Sequence, residues 1–181
     1  MVTTLKKLTY ADHAKMPEDG FRHEIIAGEE FRTPAPNPDH QTVVSKLDRL
    51  LGNHVDARKP GRVFVAPTDV VLSKHDIVEP DVFFIAKKRL SIIGPNNIQG
   101  PPDLVIAVLS PSTASEDRGP KRALYDRGGV RGYWMIDLPT KTIEVHEFRS
   151  ARRTRVYEEG QAFHSALLPG LSVRIDDLFD F

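Results

Sequence analysis

Carboxylates, lysines, arginines and histidines carry most of the chemistry open to this chain, because it contains no cysteine to act as nucleophile, thiolate ligand or disulfide partner. Asp81 follows Pro80 at the head of the apolar run Val82 to Ala86. A carboxylate there either ligates a cation or simply starts a strand or turn. Lys121 stands four residues after Asp117, the helical spacing of an ordinary surface ion pair. Glu24, flanked by His23 and Ile25, reads equally as a solvated strand residue. Ser110 and Ser112 flank Pro111 in a cap region, where hydroxyls more often satisfy helix N–H groups than attack substrates. The seven histidines lack zinc-type spacing, and there is neither a Gly-rich phosphate loop nor a serine elbow. Zinc hydrolase, nucleotide-binding and serine hydrolase readings are all weakened. Arg149, Arg152, Arg153 and Arg155 form one basic cluster and Lys87, Lys88 and Arg89 another; each is either a phosphate contact or a solvated turn.

The elements that must position these residues are legible in part. Thr9 is placed to cap a short helix from Tyr10 to Lys15, ended by Pro17 and Gly20. His23 to Ile26 and Glu30 to Thr33 suggest a hairpin turning at Gly28. Pro34, Pro36 and Pro38 break the chain, after which Val43, Val44, Leu47, Leu50, Leu51 and Val55 fall at helical spacing within His40 to Val55. Strands are expected at Arg62 to Val65, Asp69 to Leu72 and Asp81 to Ala86, and the Gly- and Pro-rich stretch from Lys87 to Pro102 reads as a loop. Leu104 to Leu109 is continuously apolar, the pattern of a strand buried on both faces beside a parallel neighbour. A capping box at Thr113 and Glu116, a helix from Asp117 to Arg127 stopped by Gly128 and Gly129, and a strand from Tyr133 to Ile136 complete a right-handed βαβ unit. Trp134 and Tyr133 fill the core beside that helix. Thr142 to Phe148 and Thr154 to Tyr157 read as antiparallel strands, so the sheet is expected to be mixed, and a turn at Pro169 and Gly170 leads to a final helix near Asp176 to Phe179.

The 181 residues, 40% of them apolar, suit one domain spanning 1–181 with a sizeable core. No run of apolar residues reaches membrane-spanning length and no signal-peptide pattern opens the chain, so a cytoplasmic location and no membrane partner are expected. The 25 basic and 25 acidic residues cancel, so any nucleic-acid contact must come from a local patch.

Four blocks carry a resemblance. They are Glu24-Ile25-Ile26-Ala27-Gly28-Glu29; Val78-Glu79-Pro80-Asp81-Val82; Pro102-Asp103-Leu104 running into Leu109-Ser110-Pro111-Ser112-Thr113; and Tyr125 through Tyr133-Trp134 to Asp137. In content, order and spacing the chain resembles the Uma-two family (domain of unknown function 820) of restriction-endonuclease-like proteins over nearly its whole length. The resemblance implies an α/β fold of the α+β type. Its core would be the PD-(D/E)xK nuclease kind, a mixed sheet flanked by helices, with an N-terminal hairpin and antiparallel extensions. It implies that Asp81 is the first metal-ligating aspartate, that Glu24 is the glutamate from the N-terminal region, and that Lys121 is the lysine supplied by the following helix.

The chain departs from the family pattern where Ala107 replaces the usual glutamate, and where Leu109 stands in place of the basic residue that some members carry. Phosphodiester hydrolysis near neutral pH needs hard divalent cations held by oxygen ligands. With a methyl group at 107, the remaining donors implied for Mg²⁺ or Mn²⁺ are Asp81, Glu24 and the carbonyl of Val108. Asp103 lies roughly 13 Å from Ala107 along the strand and cannot substitute. Two functions follow as expectations. One is a Mg²⁺-dependent nuclease acting on DNA or RNA, weakened or inactivated by Ala107. The other is a non-catalytic relative that binds nucleic acid or self-associates. Nucleic acid and a second copy of the chain, as a homodimer, are the partners expected.

Overall fold

A computed structural model describes residues 6–149 and 152–181. The first element is α1 (Tyr10–His13), shorter than expected, with Thr9 at its N-cap, where the Thr9 N–H and hydroxyl both donate to the Asp12 carboxylate. A hairpin follows, β1 (Arg22–Ile26) against β2 (Glu29–Thr33). Its two turn residues, Ala27 and Gly28, both have positive φ (55° and 87°), the type I′ geometry that matches strand twist.

Helix α2 (Pro38–Arg58) is longer than the apolar spacing indicated. Pro38 opens it rather than breaking the chain, because the first helical position needs no N–H donor, and the Asn37 side chain accepts from the His40 N–H as N-cap. Then come β3 (Gly61–Val65), β4 (Val70–Ser73), β5 (Asp76–Val78) and β6 (Val82–Ala86). The stretch read as a loop holds a 3₁₀ turn, Lys87–Ile92, and the two-residue strand β7 (Ile98–Gln99). Strand β8 (Leu104–Leu109) is buried at every position.

Beyond β8 the helical segment differs in detail from expectation. It runs as α3 (Ala114–Glu116), a π-helical turn (Asp117–Lys121) and α4 (Arg122–Gly128). Thr113 makes no side-chain cap; its hydroxyl lies 2.9 Å from that of Ser110, and Glu116 accepts from Ser115. The π turn contains Pro120, which has no N–H for the regular ladder, and a one-residue widening accommodates that loss. Strands β9 (Gly132–Asp137), β10 (Thr142–Glu147), β11 (Arg153–Tyr157), β12 (Ala162–His164) and β13 (Ser172–Arg174) precede α5 (Ile175–Phe179).

The strands form two larger sheets and a small one. The six-stranded sheet has the order β11-β10-β9-β8-β6-β3, with β8 and β9 parallel and the other pairs antiparallel. It is therefore mixed. The five-stranded sheet has the order β2-β1-β5-β4-β7, and β12 pairs with β13 alone. One face of the six-stranded sheet, through Phe84, Ile106, Val108 and Trp134, packs on Val43, Leu47 and Leu51 of α2 and on α5. The other face, through Phe83, Val105, Ala107 and Met135, packs on Leu124 and Tyr125 of α4 and on Ile26, Val70 and Val78 of the second sheet. Period-two alternation along the central strands thus feeds two cores, which is why β8 reads as apolar throughout. Among the described residues no helix is long and apolar enough to cross a membrane.

Candidate active site

Strand pairing decides what faces Asp81. Strands β6 and β8 pair antiparallel with Val82 opposite Ile106 and Phe83 opposite Val105, so one further step sets Asp81 opposite Ala107. Both share the sheet face of Phe83 and Val105. Position 107 is therefore where a second carboxylate would stand beside Asp81, and here it offers a methyl group. The Val108 N–H donates to Asp81 Oδ2 at 2.8 Å. In a strand the N–H and C=O of one residue point to the same side, so the Val108 carbonyl also faces the Asp81 side of β8.

Asp81 is heavily engaged. Arg22 Nη1 lies 3.0 Å from Asp81 Oδ1 and also donates to the Glu79 carbonyl at 3.0 Å. His40, in the first turn of α2, brings Nε2 to 3.4 Å from Asp81 Oδ2, while its Nδ1 is buried without a hydrogen-bond partner among the described residues. Burial pushes the Asp81 carboxyl up, but His40, Arg22 and the Val108 N–H outweigh it and hold the carboxyl below its ordinary value.

Glu24 and Lys121 come together, and neither is the solvated residue that the simpler readings supposed. Glu24 is fully buried, and its Oε1 accepts from the Glu79 N–H at 2.9 Å. Lys121 Nζ closes to 2.5 Å on Glu24 Oε2 and lies 3.5 Å from Asp117 Oδ1. Among the described residues Glu24 Oε2 has this charge contact and no other partner. Burial works to lower the Lys121 ammonium's pKa, yet Glu24 and Asp117 more than offset it and keep it above the usual lysine range. Burial raises the Asp117 carboxyl, against the pull of Lys121, and raises that of Glu79, against the pull of Arg22.

Arg22, His40, Glu79, Asp81, Asp117 and Lys121 border a cavity of about 480 Å³ between the N-terminus of α2, the 33–37 linker, and the C-terminal end of β8. Asp39, Glu79, Asp81 and Asp117 on its wall outnumber Arg22 and Lys121 by two, so the cavity is formally anionic. Glu24 lies behind it, paired to Lys121. A phosphate group would enter only with a compensating cation. The anionic wall suits a divalent ion, with Asp81 on that wall; Glu24 is set behind it with Lys121 on its Oε2, and Ala107 adds no carboxylate.

Sequence reasoning missed Arg22, His40, Glu79 and Asp117. The available signal for Arg22 was its place two residues before Glu24, on the same strand face. Asp117 was visible only as a surface partner for Lys121. Asp103 is spent on the Ala86 N–H at 2.8 Å and on Arg89 and Arg131 at 3.3 and 3.5 Å. That pairing also draws Arg89 out of its basic cluster. In the other cluster, Arg149 donates to the Asp126 carbonyl and Arg152 lies 3.4 Å from the Asp126 carboxylate, whereas Arg153 and Arg155 stay exposed on β11. Ser110 and Ser112 are bonded to each other at 3.0 Å.

The model of the Uma2 family, described as "Putative restriction endonuclease", matches residues 10–176. A solved structure of "a putative nuclease belonging to DUF820 from Anabaena variabilis ATCC 29413" superposes with a TM-score of 0.80 at 22% identity, covering 96% of this chain and 98% of that one. Among curated proteins none matches the chain in sequence.

Proposed function

Because the chain belongs to the Uma2 family of restriction-endonuclease-like proteins, we propose that it is a divalent-metal-dependent nuclease with an attenuated site, hydrolysing phosphodiester bonds of DNA or RNA. The observation that carries this reading is the pairing of Asp81 with position 107 at the wall of an anionic cavity. Bound Mg²⁺ or Mn²⁺ would polarise the phosphate and lower the pKa of a coordinated water. Asp81, Glu24 and the Val108 carbonyl would hold it. Arg22 orients the Asp81 carboxylate through Oδ1, and the Val108 N–H fixes Oδ2, so the carboxylate plane is set before any ligand arrives. Lys121 keeps its proton next to Glu24 and Asp117 and supplies a fixed positive charge toward developing phosphate charge.

One observation favours a second reading. With Ala107 in place, Asp81 and Glu24 are balanced by Arg22 and Lys121, a set of internal ion pairs that holds the fold without an ion. A non-catalytic relative that binds nucleic acid or self-associates fits this balance. Self-association is supported by β11, an edge strand with Val156 60% exposed.

Cleavage of single- and double-stranded nucleic acid, with and without Mg²⁺ or Mn²⁺, separates the two. Slow metal-dependent cleavage that Asp81→Asn abolishes is expected. Absence of cleavage by the natural protein and by Ala107→Glu, with both folded, overturns the nuclease reading in favour of the binding one.

A further inference from the structure

At Glu79, which also lines the Asp81 cavity and has its carboxylate 3.8 Å from Arg22 Nε, three donors from three different segments converge. His13 closes α1, Asp69 precedes β4 and Glu79 follows β5. One ligand atom from each lies within 4.8 Å of the others, and His13 Nδ1 is 3.7 Å from Asp69 Oδ2. Neither His13 nor Asp69 borders the Asp81 cavity.

The histidine makes this more than a meeting of acids. Its side chain is nine-tenths buried, and its Nε2 lies 2.8 Å from the His23 carbonyl. A carbonyl oxygen only accepts, so Nε2 carries a proton and donates. Nδ1 faces Asp69 Oδ2 at 3.7 Å, with no hydrogen bond to any described residue. A ring nitrogen whose opposite N–H is anchored on a backbone carbonyl is the arrangement of a metal-bound imidazole. The carboxylate-bearing residues are held too. The Asp69 carbonyl accepts from the Ile98 N–H at 2.8 Å, and the Glu79 N–H and carbonyl are bonded to Glu24 and Arg22. Ions of the zinc class, bound at about 2.0 to 2.1 Å in tetrahedral sites, separate their donors by roughly 3.3 Å. The three donors here need to close by about 1 Å or less on average.

We propose that His13, Asp69 and Glu79 form a second metal site that takes a zinc-class divalent ion, distinct from the Mg²⁺-type oxygen site at Asp81. One imidazole with two carboxylates favours Zn²⁺, and by the same order Co²⁺ over Mn²⁺, against the all-oxygen preference of Mg²⁺. Three protein ligands leave a position for water. The ion would pin α1 to the five-stranded sheet.

Titration of the whole protein with Co²⁺, read by visible absorption and followed by displacement with Zn²⁺, tests this without any activity assay. The expected result is one equivalent of intense, low-coordinate Co²⁺ absorption that Zn²⁺ removes and Mg²⁺ does not. Asp81→Asn should retain it. His13→Gln and Asp69→Asn should each weaken binding beyond the roughly tenfold to hundredfold loss typical of an outer partner. No such absorption in the natural protein would identify the contact as a plain imidazolium–carboxylate pair and overturn the site. Equal Co²⁺ affinity in a folded His13→Gln or Asp69→Asn protein would overturn it as well, the second variant carrying the test if the first does not fold.

Discussion

Ala107→Glu puts the geometry around Asp81 to a quantitative test. Residue 107 is 7% exposed, on the wall of the cavity, and opposite Asp81 in register. Directly opposed residues of an antiparallel pair have Cβ atoms about 5 Å apart. Two carboxylates at about 5 Å, in a medium of effective dielectric about 20, repel by about 3 kcal/mol. Arg22, 3.0 Å from Asp81, offsets part of that. A net loss of about 1 to 3 kcal/mol without metal follows, which for a domain of this size lowers Tm by about 3 to 9 °C. With a divalent ion present the same two carboxylates become ligands, and saturation to about 100 times Kd returns about 2.7 kcal/mol. Thermal unfolding in EDTA and in millimolar Mg²⁺ reads both halves. The expected pattern is a variant less stable than the natural protein in EDTA, recovering in Mg²⁺, with cleavage appearing or rising. A variant with unchanged Tm in EDTA and no response to Mg²⁺ would show that position 107 does not face Asp81, and the site as described would fall.

Two further outcomes follow from the buried charges. Lys121→Met leaves fully buried Glu24 without its counter-charge and should cost about 3 kcal/mol or more in denaturant unfolding, whereas the Glu24→Gln/Lys121→Met double variant should cost less than the two single changes summed, by about 2 kcal/mol; additive losses would refute the pairing. Asp81 has its folded-state pKa depressed, so its contribution is fully present above the ordinary carboxylate pKa and is lost as pH falls through the lower folded value. Asp81→Asn should therefore be less stable than the natural protein by about 2 kcal/mol at neutral pH, and the gap should narrow only below about pH 4; a gap that is constant down to acid unfolding would contradict the depressed value. Asp117 and Glu79, whose carboxyls are raised, work in the opposite direction, and their contribution is lost as pH rises.

Local order could be read from the chain because local physics dictates it. Ala27-Gly28 adopts positive φ and makes the hairpin, the 3- and 4-residue spacing of Val43, Leu47, Leu51 and Val55 makes α2, and the unbroken apolar run of β8 announces burial on both faces beside a parallel β9. The order of the family blocks indicated the fold, and it brought Asp81, Glu24 and Lys121 forward as site residues. What the chain did not announce is how those residues are paired. Arg22 and Asp81 are 59 positions apart, Glu79 and Glu24 are 55 apart, and Asp81 and Val108 are 27 apart. Hydrophobic period says which face a residue takes but not which strand lies next to it. The division into two large sheets, the π turn that turns Asp117 and Lys121 inward, and the meeting of His13 with Asp69 and Glu79 were settled only by strand order and packing. The same holds for the empty place at Ala107. Its residue type was plain in the sequence, but its position opposite Asp81 exists only because β6 and β8 pair antiparallel in one register, fixed by side chains buried on both faces.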